Sequence, residues 1–224
     1  MLPTESDYRA MRIWLYDFIN HKCIWRAEDQ SLRLPSVNPG EFYSWQFFLR
    51  KGLLDATFRE YVGHLFWKNF AHAYRTKRFQ IIGPETGATP LVSALMSTAE
   101  YYEIHPNTLA LRKERKKYGV LNQFEGIIDY SIPALVVDDL TNSGRTIKKA
   151  NTAVAAEGIE ILPYSFVLIG RETTKIDEKQ AIQNYSGLFS IFHLNDFVLD
   201  FSKYAEKYGT VNMKRVEFER NLRN

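Results

Sequence analysis

The sequence has a single cysteine, Cys23, among 224 residues, so no disulfide can form within the chain. It also lacks any apolar run that approaches the ~20 residues a membrane span needs. Its first residues include acids and no apolar segment of the kind that marks a secretory signal, so we expect no signal peptide. These absences favour a reducing compartment, and we expect a cytoplasmic protein that does not bind membranes.

The net charge and the spacing of the histidines argue against nucleic-acid-binding proteins and against histidine metal sites. The net charge is only +3, which permits an anionic small substrate but is too small to indicate a nucleic-acid partner. His64, His72, His105 and His193 are scattered and lack the spacing of metal ligands. We therefore expect neither nucleic-acid binding nor a histidine metal site.

The first third of the chain has mixed periodicity. Residues 5–21 place apolar side chains at helical spacing and predict an amphipathic helix, whereas residues 27–42 are polar and broken by proline and glycine. A short strand at 45–49 and a long helix at 56–74 are predicted next.

From residue 78 onward, short apolar runs alternate with helical segments. Strands that are buried on both faces have continuous apolar sequences, and helices between them indicate the crossovers of a parallel sheet. We therefore predict an α/β fold. The predicted strands are 79–83, 108–112, 133–139, 162–170 and 188–194, and the helices between them are 87–102, 144–158 and 177–185.

The segment from Val136 to Thr146 has the strongest chemical pattern. An apolar strand ends on two carboxylates, Asp138 and Asp139, and a hydroxyl-rich loop with Gly144 then opens a helix. Ligands of open parallel sheets bind beyond the carboxyl ends of the strands, and the N–H groups of a helix N-terminus attract anions. Carboxylates would repel a phosphate, so their natural partners are ribose hydroxyls or Mg²⁺. In the alternative interpretation, the two acids merely end the strand and Thr141 or Asn142 caps the next helix.

This segment, VVDDLTNSGRT, resembles the ribose-5-phosphate-binding signature of the type I phosphoribosyltransferases. The resemblance implies a doubly wound parallel sheet, with a helix and small hood at residues 1–60 and a donor-binding core with a C-terminal tail at 61–224. It implies that Asp138 and Asp139 hold the ribose of phosphoribosyl diphosphate and bind Mg²⁺ indirectly, through ribose and water. The residues implied for the 5′-phosphate are Thr141, Asn142, Ser143, Gly144, Arg145 and Thr146.

Further segments resemble the orotate branch of that family. LRKERKKYG, residues 111–119, is similar to its mobile catalytic loop, which implies that Arg112, Lys113 and Lys116 act on the leaving diphosphate. Such a group gains negative charge as the anomeric C–O bond breaks, and positioned basic donors stabilise that charge. The loop of that branch serves the neighbouring subunit, so a homodimer is implied.

The remaining implied residues bind the diphosphate and the base. GPETGATPL, residues 83–91, resembles the diphosphate-binding turn and implies roles for Thr86 and Gly87. VLIGRE places Arg171 after a strand, where the branch has an arginine that binds orotate. Phe47 and Phe48 fall in the hood segment that helps to enclose the base. Pyrimidine biosynthesis is the implied pathway.

The chain departs from the orotate pattern at several positions. Tyr118 stands where the branch has histidine, and Asn142 where the family has threonine. The hood lysine that touches the diphosphate is missing; Arg50 and Lys51 are the candidates to replace it.

Three alternatives stay open at this stage. One is a phosphoribosyltransferase for another base, and the second is a non-catalytic sensor of phosphoribosyl diphosphate that binds protein or nucleic acid. In the third, the basic run at 112–117 is only a solvated helix face or a nucleic-acid patch.

Overall fold

The computed structural model describes residues 2–29, 31–35, 40, 42–113, 123–171, 174–175 and 187–209. The chain forms two compact units. The larger comprises Met1–Cys23 and Phe48–Phe197, and the smaller comprises Ile24–Phe47 and the chain from Val198. The predicted division at residue 60 followed the resemblance rather than compactness, and it stays a prediction.

The described residues form the following elements. The helices are α1 (Glu5–Phe18), α2 (Leu49–Leu53), α3 (Ala56–Thr76), α4 (Thr89–Ala99), α5 (Arg145–Ala156) and α6 (Phe201–Tyr208), with a π-helix at Ile19–Cys23 and 3₁₀ turns at Glu100–Tyr102 and Leu194–Asp196. The strands are β1 (Ile24–Arg26), β2 (Leu34–Pro35), β3 (Phe42–Tyr43), β4 (Trp45–Phe47), β5 (Gln80–Pro84), β6 (Thr108–Leu111), β7 (Phe124–Glu125), β8 (Ala134–Thr141), β9 (Tyr164–Gly170), β10 (Thr174–Lys175) and β11 (Gly187–His193).

The central sheet of the larger unit has seven strands in the order β10-β11-β9-β8-β5-β6-β7. All neighbours pair in parallel except β7, which runs antiparallel to β6. From β5 the chain adds its next strand, β6, toward the β7 edge of the sheet. From β8 it adds its next strand, β9, toward the opposite edge, at β10. Since crossovers are right-handed, α4 and α5 cover opposite faces, which confirms the predicted doubly wound parallel sheet.

The two faces of the sheet are packed differently. Aromatic side chains fill the face toward α3, where Phe66 of the helix meets Phe166 of β9 edge-on at 4.9 Å between ring centroids. Aliphatic side chains fill the face toward α5, where Val136 of β8, Val167 of β9 and Val154 of the helix share one core cluster. Because both faces are covered, β8 and β9 have the continuous apolar sequences from which a parallel sheet was predicted.

The smaller unit is built around a buried arginine. β1 pairs antiparallel with β4, and β2 with β3. Arg26 of β1 is 2% exposed and donates its Nε hydrogen to the carbonyl oxygen of Val198. Its guanidinium also lies 4.1 Å from the ring centroid of Tyr204 in α6, so the cation is both hydrogen-bonded and stacked.

Several predicted elements are corrected by the structure. β8 does not stop at the acids but continues to Thr141, because its last residues still pair with β9. The strand predicted at 45–49 ends at Phe47, and α2 follows from Leu49; this helix was missed because five residues are too few for a periodic pattern. The predicted first helix ends at Phe18 in a π-helical turn. The helix predicted at 177–185 and the end of the predicted C-terminal tail, from residue 210, lie outside the described residues.

Within the ranges given above, the structure contains no helix of the length and apolarity that crossing a membrane would require.

We expect Gly63→Ala to destabilise the larger unit, because α3 approaches α4 without room for a methyl group. A Cβ atom on Gly63 would lie 2.0 Å from Oγ1 of Thr98 and 2.7 Å from the carbonyl oxygen of Ala94. The free energy of unfolding, measured with urea, should fall by about 1–3 kcal/mol.

The exposed Thr57→Ala in the same helix is the matched control and should change it by less than about 0.5 kcal/mol. Combining Gly63→Ala with Thr98→Ala should recover part of the loss. An unaltered stability in Gly63→Ala would show that the two helices are not so closely packed.

Candidate active site

The site lies where the direction of chain progression across the sheet reverses, between β5 and β8. These neighbours pair only from Gln80↔Ala134 to Ile82↔Val136, whereas β8 remains paired with β9 as far as Thr141↔Gly170. Beyond Val136 the carboxyl ends of β5 and β8 therefore flank a crevice. Open α/β sheets bind their ligands in such a crevice.

Asp138 and Asp139 line this crevice at the end of β8. Asp138 is buried, at 5% exposure, and Asp139 is half-buried. Each carboxylate accepts a backbone hydrogen bond: Oδ1 of Asp138 from the N–H of Asp139 at 2.9 Å, and Oδ1 of Asp139 from the N–H of Leu140 at 2.8 Å. Burial and the neighbouring carboxylate raise the pKa of Asp138 to about 7, and burial also raises the pKa of Asp139. The pair thus lacks enough compensating positive charge.

The loop after β8 is shaped for an anion. Oγ1 of Thr141 accepts a hydrogen bond from the N–H of Gly144 at 2.9 Å, which closes the turn that begins α5. Gly144 has φ +70°, a left-handed conformation that favours glycine. Ser143, Arg145 and Thr146 are exposed around the helix N-terminus, and Asn142, just before them in the chain, is half-buried. Backbone N–H groups, hydroxyls and a guanidinium at a helix N-terminus together suit a phosphate.

The turn after β5 faces the acidic pair. A methyl group on Gly87 would lie 3.4 Å from Oδ1 of Asp139 and 3.6 Å from Oδ1 of Asp138. The predicted diphosphate turn and the predicted ribose carboxylates are therefore brought together. Thr86, in the same turn, accepts a hydrogen bond at Oγ1 from Nη2 of Arg50 in α2, at 2.8 Å.

The stem of the basic loop is a short antiparallel pair. Arg112 follows β6, and its backbone N–H bonds to the carbonyl oxygen of Gln123 at 2.8 Å, next to β7. Its guanidinium forms an ion pair with Glu125. Gly126 then rejoins the sheet at φ +117°, where a Cβ would lie 2.8 Å from the carbonyl oxygen of Thr108. Lys113 is exposed at the start of the loop, and Lys116 and Tyr118 lie outside the described residues.

The predicted base-binding residues belong to different segments of the chain. Arg171 follows β9 directly and is exposed at the same edge of the sheet as the acidic pair. Phe48 precedes α2 in the larger unit, with Nζ of Lys51 at 5.5 Å from its ring centroid. Phe47 is the last residue of β4 in the smaller unit. A contact of Phe47, Phe48 or Arg171 with a base stays a prediction.

The described residues offer no cluster of three or more histidine, cysteine or acidic side chains that could hold a metal ion on their own. Mg²⁺ does not need such a cluster, since it is commonly bound through one or two carboxylates together with substrate phosphates and water. The adjacent carboxylates of Asp138 and Asp139 fit that mode of binding.

Sequence reasoning named Arg50 only as a candidate to replace the missing hood lysine and did not pair it with Thr86. The two residues are far apart in the chain, and only the packing of α2 beside the β5 turn brings them together. The signal in the sequence was the absence of a lysine between Gly83 and Pro90, which leaves this turn without a basic side chain of its own.

No family model matches the chain. Among curated proteins, the orotate phosphoribosyltransferase of Methanothermobacter thermautotrophicus is 34% identical over 99 residues, which are 44% of this chain and 52% of that protein. That of Methanosphaera stadtmanae is 27% identical over 137 residues, covering 61% of this chain and 72% of that protein. The matching part spans about half (52%) of the M. thermautotrophicus protein and of a Pyrococcus furiosus relative that is 32% identical.

Solved orotate phosphoribosyltransferases have the same fold. That of Mycobacterium tuberculosis, in complex with Fe(III) dicitrate, superposes with a TM-score of 0.60 at 20% identity and covers 83% of this chain and 98% of its own. That of Aeropyrum pernix gives 0.57 at 20% identity, covering 87% and 97%. These structures confirm the predicted fold, and the curated relatives confirm the resemblance to type I phosphoribosyltransferases of the orotate branch.

We expect Asp138→Asn to stabilise the ligand-free protein in a pH-dependent manner. A carboxyl group whose pKa is raised by folding disfavours the folded state in its charged form. The wild type therefore loses stability as pH rises from the unfolded pKa of about 4 toward the folded pKa of about 7. Asparagine keeps the Oδ1 acceptor without the charge. The free energy of unfolding should rise by roughly 1–3 kcal/mol at pH 8 and by less than about 1 kcal/mol at pH 4.5.

The measurement is urea unfolding of the wild type and of Asp138→Asn at pH 4.5 and pH 8. Asp17→Asn, on the exposed face of α1, is the control and should change stability little at either pH. Equal effects of Asp138→Asn at pH 4.5 and pH 8 would contradict the raised pKa.

Proposed function

We propose that the chain transfers ribose 5-phosphate from phosphoribosyl diphosphate to orotate and releases diphosphate. The observation that supports this most is the crevice between β5 and β8. An acidic pair, a hydroxyl-rich helix N-terminus and a threonine–glycine turn meet there, and together they match the three parts of such a donor. The relatives named orotate phosphoribosyltransferase favour orotate over another base, and an M. tuberculosis relative has been solved with phosphoribosyl diphosphate.

The 5′-phosphate binds at the N-terminus of α5. Backbone N–H groups and the hydroxyls of Ser143 and Thr146 donate to its oxygens, and Arg145 adds a charged donor. Thr141 holds the turn through its bond to Gly144, and Asn142 adds a side-chain amide to the ring of donors.

The ribose lies over the acidic pair. Its hydroxyls donate to Asp138 and Asp139, and a hydrogen bond to a carboxylate favours the charged form. The donor therefore relieves part of the cost that burial imposes on the pair. Held charged, the carboxylates also stabilise the positive charge that develops on the ribose as the bond to diphosphate breaks.

The reaction exchanges one bond for another. The bond between the anomeric carbon and a diphosphate oxygen breaks, and its electron pair leaves with diphosphate. A ring nitrogen of orotate supplies the electron pair of the new C–N bond and loses its proton to solvent. The products are orotidine 5′-phosphate and diphosphate.

Basic residues stabilise the leaving diphosphate. Lys113 and Lys116 lie in the chain between β6 and β7. Arg112, at the end of β6, can leave its ion pair with Glu125 and bind a phosphate oxygen instead. Asp138 and Asp139 would hold Mg²⁺ indirectly, through ribose and water, and the ion would supply positive charge against the leaving diphosphate. A closed loop also excludes water from the reacting carbon.

The base pocket and the assembly follow from the resemblance. Arg171 offers a guanidinium for the carboxylate of orotate, with Phe47 and Phe48 against the ring. We further propose a homodimer in which each basic loop serves the neighbouring site, acting in the cytoplasm in pyrimidine biosynthesis.

The direct test is release of diphosphate from phosphoribosyl diphosphate and Mg²⁺ with a panel of bases. We expect release with orotate and little with uracil, since uracil lacks the carboxylate that Arg171 would bind. Release with a different base alone would keep the chemistry and reassign the acceptor. Donor binding by calorimetry without release for any base would replace the proposal with a sensor.

A double variant, Lys113→Ala with Lys116→Ala, tests the role of the basic loop. Because these donors act on charge that develops in the transition state, kcat should fall by about 100-fold or more, while donor binding should weaken far less. Lys203→Ala with Lys207→Ala removes two exposed lysines from α6 and is the matched control. Unchanged turnover in the loop variant would leave the loop without a catalytic role.

A further inference from the structure

We propose that Arg50, from α2, binds the diphosphate of the donor and directs the hydroxyl of Thr86 toward it. This inference rests on the proposed function and adds to it a binding residue that lies outside the motifs of the orotate branch. It answers how the crevice holds a diphosphate although the β5 turn has no basic residue of its own.

The first support is the position of the guanidinium. Nη2 of Arg50 lies 2.8 Å from Oγ1 of Thr86, and Thr86 is the exposed residue of the turn whose next member, Gly87, faces the acidic pair. Arg50 is itself exposed, so solvent and any ligand in the crevice can reach the rest of its guanidinium. The cation is therefore held at the rim of the crevice.

The second support is the hydrogen-bond direction. An arginine can only donate, so Oγ1 of Thr86 must accept in this contact. The hydroxyl proton of Thr86 is then directed elsewhere and is available to a phosphate oxygen. A guanidinium has five N–H donors, and one bond to Thr86 leaves several for bidentate binding of phosphate. Arg50 and Thr86 thus form a ready pair of donors for one phosphoryl group.

The third support is electrostatic. A diphosphate entering beside two carboxylates meets repulsion. The guanidinium of Arg50, bonded to Thr86 in the turn that faces those carboxylates, reduces it. Arg112, by contrast, is ion-paired with Glu125 in this structure.

Lys51, the basic residue next to Arg50, is placed differently. Nζ of Lys51 lies over the ring of Phe48, at 5.5 Å from the centroid. Of the two candidates that the sequence left open for the missing hood lysine, the structure therefore favours Arg50. The guanidinium also suits the role better, because an ammonium group cannot bind phosphate in the same planar, bidentate manner.

The experiment is calorimetric titration of the full chain with inorganic diphosphate in the presence of Mg²⁺, and separately with phosphoribosyl diphosphate. Arg50→Ala should weaken diphosphate binding by about 10- to 100-fold, the usual effect of losing charge-assisted hydrogen bonds. Arg50→Lys should retain only part of the affinity. Thr86→Val should weaken binding less than Arg50→Ala, and Thr86→Ser should restore it.

The matched control is Lys51→Ala, next in the same helix, which should stay within about twofold of the wild type. Inorganic phosphate, which we expect at the α5 N-terminus, should bind Arg50→Ala and wild type equally. Thermal melting of each variant shows whether the fold is intact, and Arg50→Lys keeps the test valid if Arg50→Ala fails to fold.

The outcomes separate the two proposals. Wild-type affinity in Arg50→Ala, or a loss found instead in Lys51→Ala, overturns the role of Arg50 and leaves the proposed function standing. Weaker binding in Arg50→Ala together with no turnover for any base supports Arg50 and removes the transferase. A wild type that binds neither diphosphate nor the donor overturns both.

Discussion

Two adjacent carboxylates held out of water at the end of β8 are the constraint on which the site depends. Asp138 and Asp139 follow four fully buried residues of a central strand, so their backbone position leaves them little access to solvent. Each carboxylate accepts one backbone N–H hydrogen bond, but among the described residues neither forms an ion pair with a basic side chain. Burying two charged carboxylates destabilises the folded protein. Other interactions in the fold must offset this free energy, or a bound ligand must remove it.

The fold concentrates complementary groups around this pair. Strands β5, β6, β8 and β9 run in parallel, so the residues that follow each of them come to one edge of the sheet. Thr86 follows β5, Arg112 follows β6, the Gly144 loop follows β8 and Arg171 follows β9. The reversal of chain direction between β5 and β8 then opens a crevice among these groups.

Positive charge is present at the crevice but is held by other partners. The guanidinium of Arg50 bonds to a neutral hydroxyl, and that of Arg112 pairs with a carboxylate from the returning strand. An anionic ligand can compete for both, because a phosphate oxygen is a stronger acceptor than the Thr86 hydroxyl, and a diphosphate carries more negative charge than the single carboxylate of Glu125. The ligand-free arrangement thus keeps basic donors near the site without placing them directly on the acids.

The alternation of apolar runs and helices was enough to predict a parallel sheet, because strands covered on both faces must be apolar throughout. The order of acids, hydroxyls and Gly144 was enough to single out the loop of the candidate site, because these residues are close together in the chain and their chemistry is local. The extension of β8 to Thr141 and the existence of α2 were not predictable in this way. Pairing with β9 determines where β8 ends, and α2 is too short to show a helical period in the sequence.

The fold class and the residues of the β8 loop could thus be inferred from the order of residues, since both depend on neighbours along the chain. The distant groups that meet this loop became known from the folded chain: Gly87 opposite the acidic pair, Arg50 on Thr86, and Glu125 on Arg112. These contacts join residues from different strands and helices. Their distances are set by how α2, α4 and the β6–β7 pair pack on the sheet, which no local pattern of residues records.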